Sequence, residues 1–253
     1  MRKWLAGIVL FLSIVLLSIS IYFLMGMYQQ EKKDDRTYQK ISDLYENEDF
    51  DGTEEPETTE EESINAGLIA LHRENEDCIG WIKIEGTAID YPVMYRPQEK
   101  NYYLHRDFYG EYSANGSLFL AEECVPGISD NLIIYGHHMN SGKMFAVLDE
   151  YKSFEFYQEH SMICYSTLYG DEKYQIIAAF ATPVYTGSDF AYYGFIQAKD
   201  KNEYEEFIRA CKSRSFYDTG LQAHFGDKLL TLSTCEYSHK NGRMVVVAKK
   251  VEE

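Results

Sequence analysis

The sequence predicts a mostly β fold: a closed or nearly closed eight-stranded β-barrel with an N-terminal helix and inserted helices, preceded by a transmembrane helix. Three observations predict it. After residue 64, eight short runs rich in β-branched and aromatic residues follow one another, separated mostly by turn-type residues. Two stretches with helical apolar spacing interrupt those runs. Near the N-terminus, Trp4 to Leu24 carries no charged residue at all.

That first segment, WLAGIVLFLSIVLLSISIYFL, would span roughly 31 Å as a helix, which matches the hydrocarbon thickness of a bilayer. A cleaved signal peptide would have a shorter apolar region followed by small residues, whereas Met25, Gly26, Met27 and Tyr28 follow here. Residues 1–28 are therefore read as an N-terminal stub and membrane anchor. Charge does not orient it: Arg2 and Lys3 precede the span, yet Lys32, Lys33, Arg36 and Lys40 follow. Residues 29–63 are polar and lack the apolar content of a core, so they read as a solvated linker, with room for a transient helix in the first half.

From Ile64 onward the composition becomes that of a folded domain, residues 64–253, long enough to bury a core. Ile64 to Asn75 fits a short amphipathic helix carrying Leu68, Ile69 and Leu71. The β-rich runs are WIKI (81–84), AIDYPVMY (88–95), GSLFLA (116–121), NLIIYGHH (131–138), SMICYST (161–167), YQIIAAFATPVY (174–185), KLLTLSTC (228–235) and RMVVVAKKV (243–251). KMFAVLDEY (143–151) reads as one inserted helix. NEYEEFIRACKSR (202–214) reads as another, with Tyr204, Phe207, Ile208 and Cys211 on one face.

Composition excludes some functions. The formal net charge is −17, and residues 31–63 hold fourteen Asp and Glu against four Lys and Arg, a net of −10. No basic stripe is available for phosphates, so nucleic acid is excluded as a partner. The five cysteines are far apart and form no C-x-x-C pair, which argues against a disulfide framework. Cys78, Cys164 and Cys211 read as small core hydrophobes. No cofactor is called for, and neither a zinc nor a calcium site is indicated: adjacent strand histidines point apart, and no ligand pair has metal-site spacing.

The chemistry concentrates in TLSTCEYSHKNGRMVVVAKK, residues 231–250, where a cysteine ends one apolar run and an arginine opens the next, eight residues later. Side chains two apart on a strand share a face. Leu230, Leu232 and Thr234 form a core-like set, and Leu229, Thr231, Ser233 and Cys235 form a more polar one. In NLIIYGHHM, His137 shares a face with Ile133 and Tyr135, while His138 falls on the other side, so at most one of the two easily joins the cysteine. Gly136 permits close backbone approach just before them. A thiolate is a nucleophile, its pKa lowered by a nearby cation. An imidazole can protonate a leaving amine, and a guanidinium offers donors to a developing oxyanion. Together they make a set for acyl transfer through a thioester.

The strings NLIIYGHHMNSGKMFAVLDEY and TLSTCEYSHKNGRMVVVAKK resemble the two signature segments of class B sortases: G-H-H-M, then T-L-S-T-C, then an arginine eight residues on. WIKIEGTAIDYPVMY, YYL and GSLFL resemble the family's N-terminal portion. The resemblance implies an eight-stranded sortase barrel with a helix inserted before the cysteine strand. It also implies a membrane-anchored cysteine transpeptidase on the outer face of a Gram-positive bacterium, with the N-terminus inside. It casts His137 as general acid, Cys235 as nucleophile and Arg243 as the oxyanion or positioning residue, with His138 structural. The partners it implies are a sorting-signal peptide, cleaved after a threonine, and a cell-wall amine of peptidoglycan that resolves the thioester.

Substrate contacts are expected at Leu104, Tyr193, Ser233, Thr234 and Glu236. Leu104 resembles a peptide-contacting leucine of the family, and His105 stands where some relatives carry asparagine. Residues 184–197 should wall the groove; Tyr192, Tyr193 and Phe195 either hold a proline-containing peptide or pack a helix onto the barrel. Glu236 either tunes the site or is a solvated turn residue. A papain-like protease would want cysteine before histidine and an asparagine to orient the ring, and the order here is reversed. The non-enzymatic alternative is a surface adhesion or pilus-biogenesis module in which these residues are structural.

Overall fold

The structure is a computed structural model that describes residues 2–47, 65–183, 190–236 and 242–251. The chain divides into two compact units, Met1–Lys40 and Ile41–Glu253.

The first unit is helical. Helix α1 runs Arg2–Asn47 without a break, and its N-terminal part is the one described helix long and apolar enough to cross a membrane. Within it the hydroxyls of Ser13, Ser18 and Ser20 each donate to the carbonyl four residues back at 2.9 Å. Leu10, Phe11, Leu16 and Leu17 are all exposed. The helix continues past the span through the charged residues, where the sequence allowed only a transient one. Between Tyr28 and Asn47 there is neither Gly nor Pro, and Gln30 donates to Asp34 one turn on at 2.9 Å. Extending a helix that the span has already nucleated costs little per residue.

The second unit is a closed barrel in the order β1-β2-β3-β4-β7-β8-β6-β5. Its strands are β1 (Cys78–Lys83), β2 (Asp90–Met94), β3 (Leu118–Leu120), β4 (Asn131–Tyr135), β5 (Met162–Thr167), β6 (Gly170–Pro183), β7 (Leu229–Glu236) and β8 (Gly242–Lys250). Two contacts, β2–β3 and β4–β7, are parallel and the rest antiparallel. Closure leaves no free edge. The last turns of α1 belong to this unit: Ile41 is buried, and Tyr45 stacks on Trp81 at 4.2 Å between ring centroids. Helix α2 (Ala66–Glu74) is capped by the Asn65 side chain, which accepts from Leu68 N, and it buries Leu68 and Leu71.

Helix α3 (Phe154–Glu159) is short, and α4 (Lys201–Arg214) is the long insertion before β7. Asp200 caps α4, its carboxylate accepting from Glu203 N at 3.0 Å. The apolar face of α4 is the expected one: Tyr204, Phe207, Ile208 and Cys211 are buried. They pack with Leu229, Val245, Val247 and Phe180, so α4 covers the outer face of β6, β7 and β8. The stretch 143–151 departs from expectation, since it forms a 3-10 turn at Ala146–Lys152 instead of an α-helix. Seven residues offer little apolar face to hold an α-helix down.

Two further expectations are corrected. Thr231 and Ser233 do not lie on a polar surface: both are buried, at 0 % and 1 % exposure. The face of β7 opposite the barrel interior is roofed by α4 and the segment before it, and its hydroxyls are paired. Thr231 Oγ1 donates to Asn131 Oδ1 at 2.8 Å, and Ser233 Oγ shares a 2.7 Å hydrogen bond with the Tyr192 hydroxyl. Cys164 is not a core residue either, because its side chain is exposed on β5. It pairs there with Lys83 and Lys173 on the outer surface. Cys78, Cys124 and Cys211 are buried, and burial pushes their thiols up, Cys78 to about 12 and Cys124 to about 11.

Candidate active site

Strand register brings the three expected catalytic positions into one row. β4 and β7 run parallel with Ile133 opposite Thr231 and Tyr135 opposite Ser233. Gly136 N donates to Ser233 O at 3.2 Å, so the pairing continues beyond the end of β4. The next same-face step is His137 beside Cys235. On the other side, β7 and β8 are antiparallel, with Cys235 directly opposite Arg243 and Ser233 opposite Val245. Opposed residues share a face, with Cβ atoms about 4.5–5.5 Å apart. The backbone thus sets imidazole, thiol and guanidinium positions side by side across three neighbouring strands. The side chains of Cys235 and Glu236 lie outside the described part of the structure; of these two residues only the strand positions are given.

His137 is held from its own loop and from the far side of the groove. A Cβ on Gly136 would collide with Leu118 and Phe145, so only glycine allows the strand to pass there. Phe145 N donates to His137 O at 2.9 Å and fixes its backbone. The ring nitrogen Nε2 lies 2.7 Å from the Leu104 carbonyl. A carbonyl only accepts, so Nε2 carries the proton and Nδ1 is the lone-pair nitrogen of the neutral ring. Burial holds the imidazole below its ordinary pKa, partly offset by the Leu104 carbonyl, and the neighbouring His105 lowers it further.

Leu104 sits in a 3-10 turn, Tyr102–His105, that is anchored firmly. Tyr103 is buried, and its hydroxyl donates to Asp77 Oδ2 at 2.7 Å. Asp77 is also paired with Arg96 at 3.0 Å. Gly116, with φ +59°, brings its backbone so close to the Leu104 carbonyl that a Cβ would overlap it.

Arg243 is half-buried at the start of β8. Its Nη1 donates to the Gly242 carbonyl at 3.0 Å. Among the described residues it makes no ion pair, which leaves guanidinium donors for an anionic atom. His138 diverges from His137 as alternation predicts: its Nε2 lies 3.5 Å from Asp149 Oδ2, on the Ala146–Lys152 turn.

A groove of about 340 Å³ runs over these residues, lined by His137, Arg243, Leu104, Tyr193, Ser233 and Thr234. Residues that sequence reasoning missed complete its lining: Phe119, Tyr135, Lys100, Asn101, Glu122 and Glu123. A larger cleft of about 790 Å³ beside α4 contains none of the row. The open question over the aromatics after residue 190 resolves by residue. Tyr192 and Phe195 are buried and pack α4 onto the barrel, Phe195 stacks on Phe207 at 3.9 Å, and Tyr192 also lines the groove. Tyr193 is 39 % exposed and lines the groove. Residues 184–189 of the expected wall lie outside the described residues.

Comparison with known proteins follows the same lines. A sortase-domain family model matches residues 82–251. Sortase B of Staphylococcus aureus (strain NCTC 8325 / PS 47) is 29 % identical over 100 % of this chain and 98 % of its own length. Sortase B of Listeria monocytogenes serovar 1/2a is 33 % identical over 72 % of each chain. Among solved structures, a Staphylococcus aureus sortase B–substrate complex superposes with a TM-score of 0.76 at 28 % identity, over 88 % of this chain and 99 % of that one. Clostridium perfringens sortase B superposes with a TM-score of 0.64 at 29 % identity, over 72 % of this chain and 98 % of the other. The reading as a non-catalytic adhesion module falls with these matches. The chain belongs to the class B sortases, the cysteine transpeptidases that process surface proteins.

Proposed function

We propose that this sortase is a single-pass membrane enzyme whose domain faces the outside of a Gram-positive cell, with residues 29–63 as its tether. It cleaves a C-terminal sorting signal after a threonine and passes the acyl group to a cell-wall amine. The observation that carries this reading is the row of His137, Cys235 and Arg243 positions across neighbouring strands, beside a groove of about 340 Å³ that His137 and Arg243 line. A relative solved as a substrate complex supports a peptide in that groove. Leu104, Tyr193, Ser233, Thr234 and Glu236 are the proposed peptide contacts.

The chemistry is acyl transfer in two halves. The Cys235 thiol gives its proton to the lone-pair nitrogen of His137 as sulfur bonds to the carbonyl carbon. The carbonyl oxygen becomes an oxyanion, which the Arg243 guanidinium stabilises. The C–N bond then breaks, and the imidazolium returns the proton to the leaving amine. A second amine attacks the thioester by the same route in reverse and regenerates the thiol.

The test is to incubate the full-length chain in detergent micelles with fluorogenic peptides of NPxTN and xPxTG type. Cleavage is expected for one class, an enzyme mass raised by the acyl fragment, and a ligated product when an amine is added. No cleavage of either class would overturn the reading. Arg243→Lys should lower kcat/KM by roughly 10²–10³-fold, since a point charge does not reproduce the guanidinium fork; near-normal rates would remove Arg243 from the transition state.

The exposure of Cys164 changes how the nucleophile is identified by labelling. A limiting alkylating agent should modify Cys164 and Cys235 and spare the three buried thiols. In a Cys164→Ser background a single site should remain, read by peptide mass mapping, and its modification should abolish turnover. Labelling of Cys78, Cys124 or Cys211 at a similar rate would contradict the assignment.

A further inference from the structure

We propose that His105 is a positioning residue for His137, fixing the orientation of its ring by stacking and opposing a second positive charge there. The inference rests on the reading of His137 as the proton carrier, and it starts from a contact unrelated to the sequence motif. The two rings face each other with centroids 5.3 Å apart and planes 24° from parallel. His105 is exposed, whereas His137 is half-buried. The turn that presents His105 also presents the carbonyl that receives Nε2–H of His137. One rigid turn therefore grips the ring at its edge and over its face. The turn is pinned on both sides: Ser113 N donates to His105 O at 3.1 Å and Ser117 N to Tyr103 O at 3.0 Å.

Other charges around the pair are turned to partners of their own. The Arg106 guanidinium lies 4.3 Å over the Tyr102 ring. Asp107 accepts from the backbone of Tyr109 and Glu111. Beyond β3, Glu122 accepts from Asn101 N, and Glu123 lies 3.9 Å from Lys100. Arg243 approaches from β8, across the groove. His105 alone among them is in ring contact with His137. With both rings protonated, two like charges would face each other at stacking distance, so His105 adds to burial in favouring the neutral form of His137. That neutral form is the one able to receive the thiol proton.

Two variants separate charge from shape: His105→Asn removes both the ring and the charge, and His105→Phe keeps a ring and removes only the charge. The full-length chain in micelles, with 13C-labelled histidines, would be titrated by NMR, with His137→Gln assigning the signal. Both variants should raise the His137 midpoint, since each removes the like charge that faces the ring. His105→Asn should in addition lower kcat several-fold with KM unchanged, and His105→Phe should restore most of that loss. A His137 midpoint that moves in neither variant overturns the proposal, as does loss of kcat in both variants alike. If the midpoint moves while the pH–rate profile does not, the coupling stands and the catalytic reading of His137 fails.

Discussion

Cys235→Ala is expected to abolish cleavage of a fluorogenic sorting peptide, lowering kcat by roughly 10⁴-fold or more, because no other group can carry the acyl intermediate. The position is one where the substitution leaves the fold intact. Cys235 lies near the end of β7, and its neighbours Ser233 and Thr234 are already locked by pairing with Val245 and Met244. The unfolding midpoint of the variant should match that of the parent, and its groove should still bind the peptide. Retained turnover would assign the nucleophile to another residue. The exposed Cys164 would then be the first to test, although its place on β5 between Lys83 and Lys173 is on the far side of the sheet order from β7.

Much of the site was legible because strand alternation is a local rule. The separation of His137 from His138, and the grouping of Cys235 with Ser233, follow from a period of two. What alternation could not supply is what covers each face. Thr231 and Ser233 read as a wet surface because their side chains are polar; the fold roofs them with Tyr192, Phe195 and the apolar face of α4, and their hydroxyls find partners 100 and 41 residues away in the chain. Cys164 was misread for the complementary reason. A cysteine in a β-rich run suggests core, and alternation alone does not say that its side chain lies on the exposed outer face beside Lys83 and Lys173. The groove residues Phe119, Tyr135, Glu122 and Glu123 carried no local signal, because they become neighbours only when β3 pairs with β4 and β2 with β3. The same holds for the Leu104 carbonyl that meets His137 across 33 residues. The pairing of β7 with β8 was the exception, since two strong strands so close in the sequence put Cys235 opposite Arg243 almost by arithmetic.

His137→Ala should lower kcat/KM by roughly 10²–10⁴-fold, the range a positioned acid–base group supplies. His138→Ala should stay within about tenfold of the parent, because what it gives up is a partly exposed pairing with Asp149. The reverse ranking would show that the wrong histidine has been chosen. A second readout does not depend on activity. Burial holds the folded-state pKa of His137 below its ordinary value near 6.5. In the window from about 6.5 down to that lowered value, the unfolded chain binds the proton and the folded chain does not, so stability falls as pH falls. The contribution is complete above the unfolded value and is progressively lost below it. Replacing His137 with Ala removes this dependence, so the difference in unfolding free energy between parent and variant should shift in favour of the variant as pH drops from 7 to 5. A difference that stays flat with pH would mean that the ring keeps its ordinary affinity for protons, and the neutral imidazole on which the proposed proton route depends would lose its support.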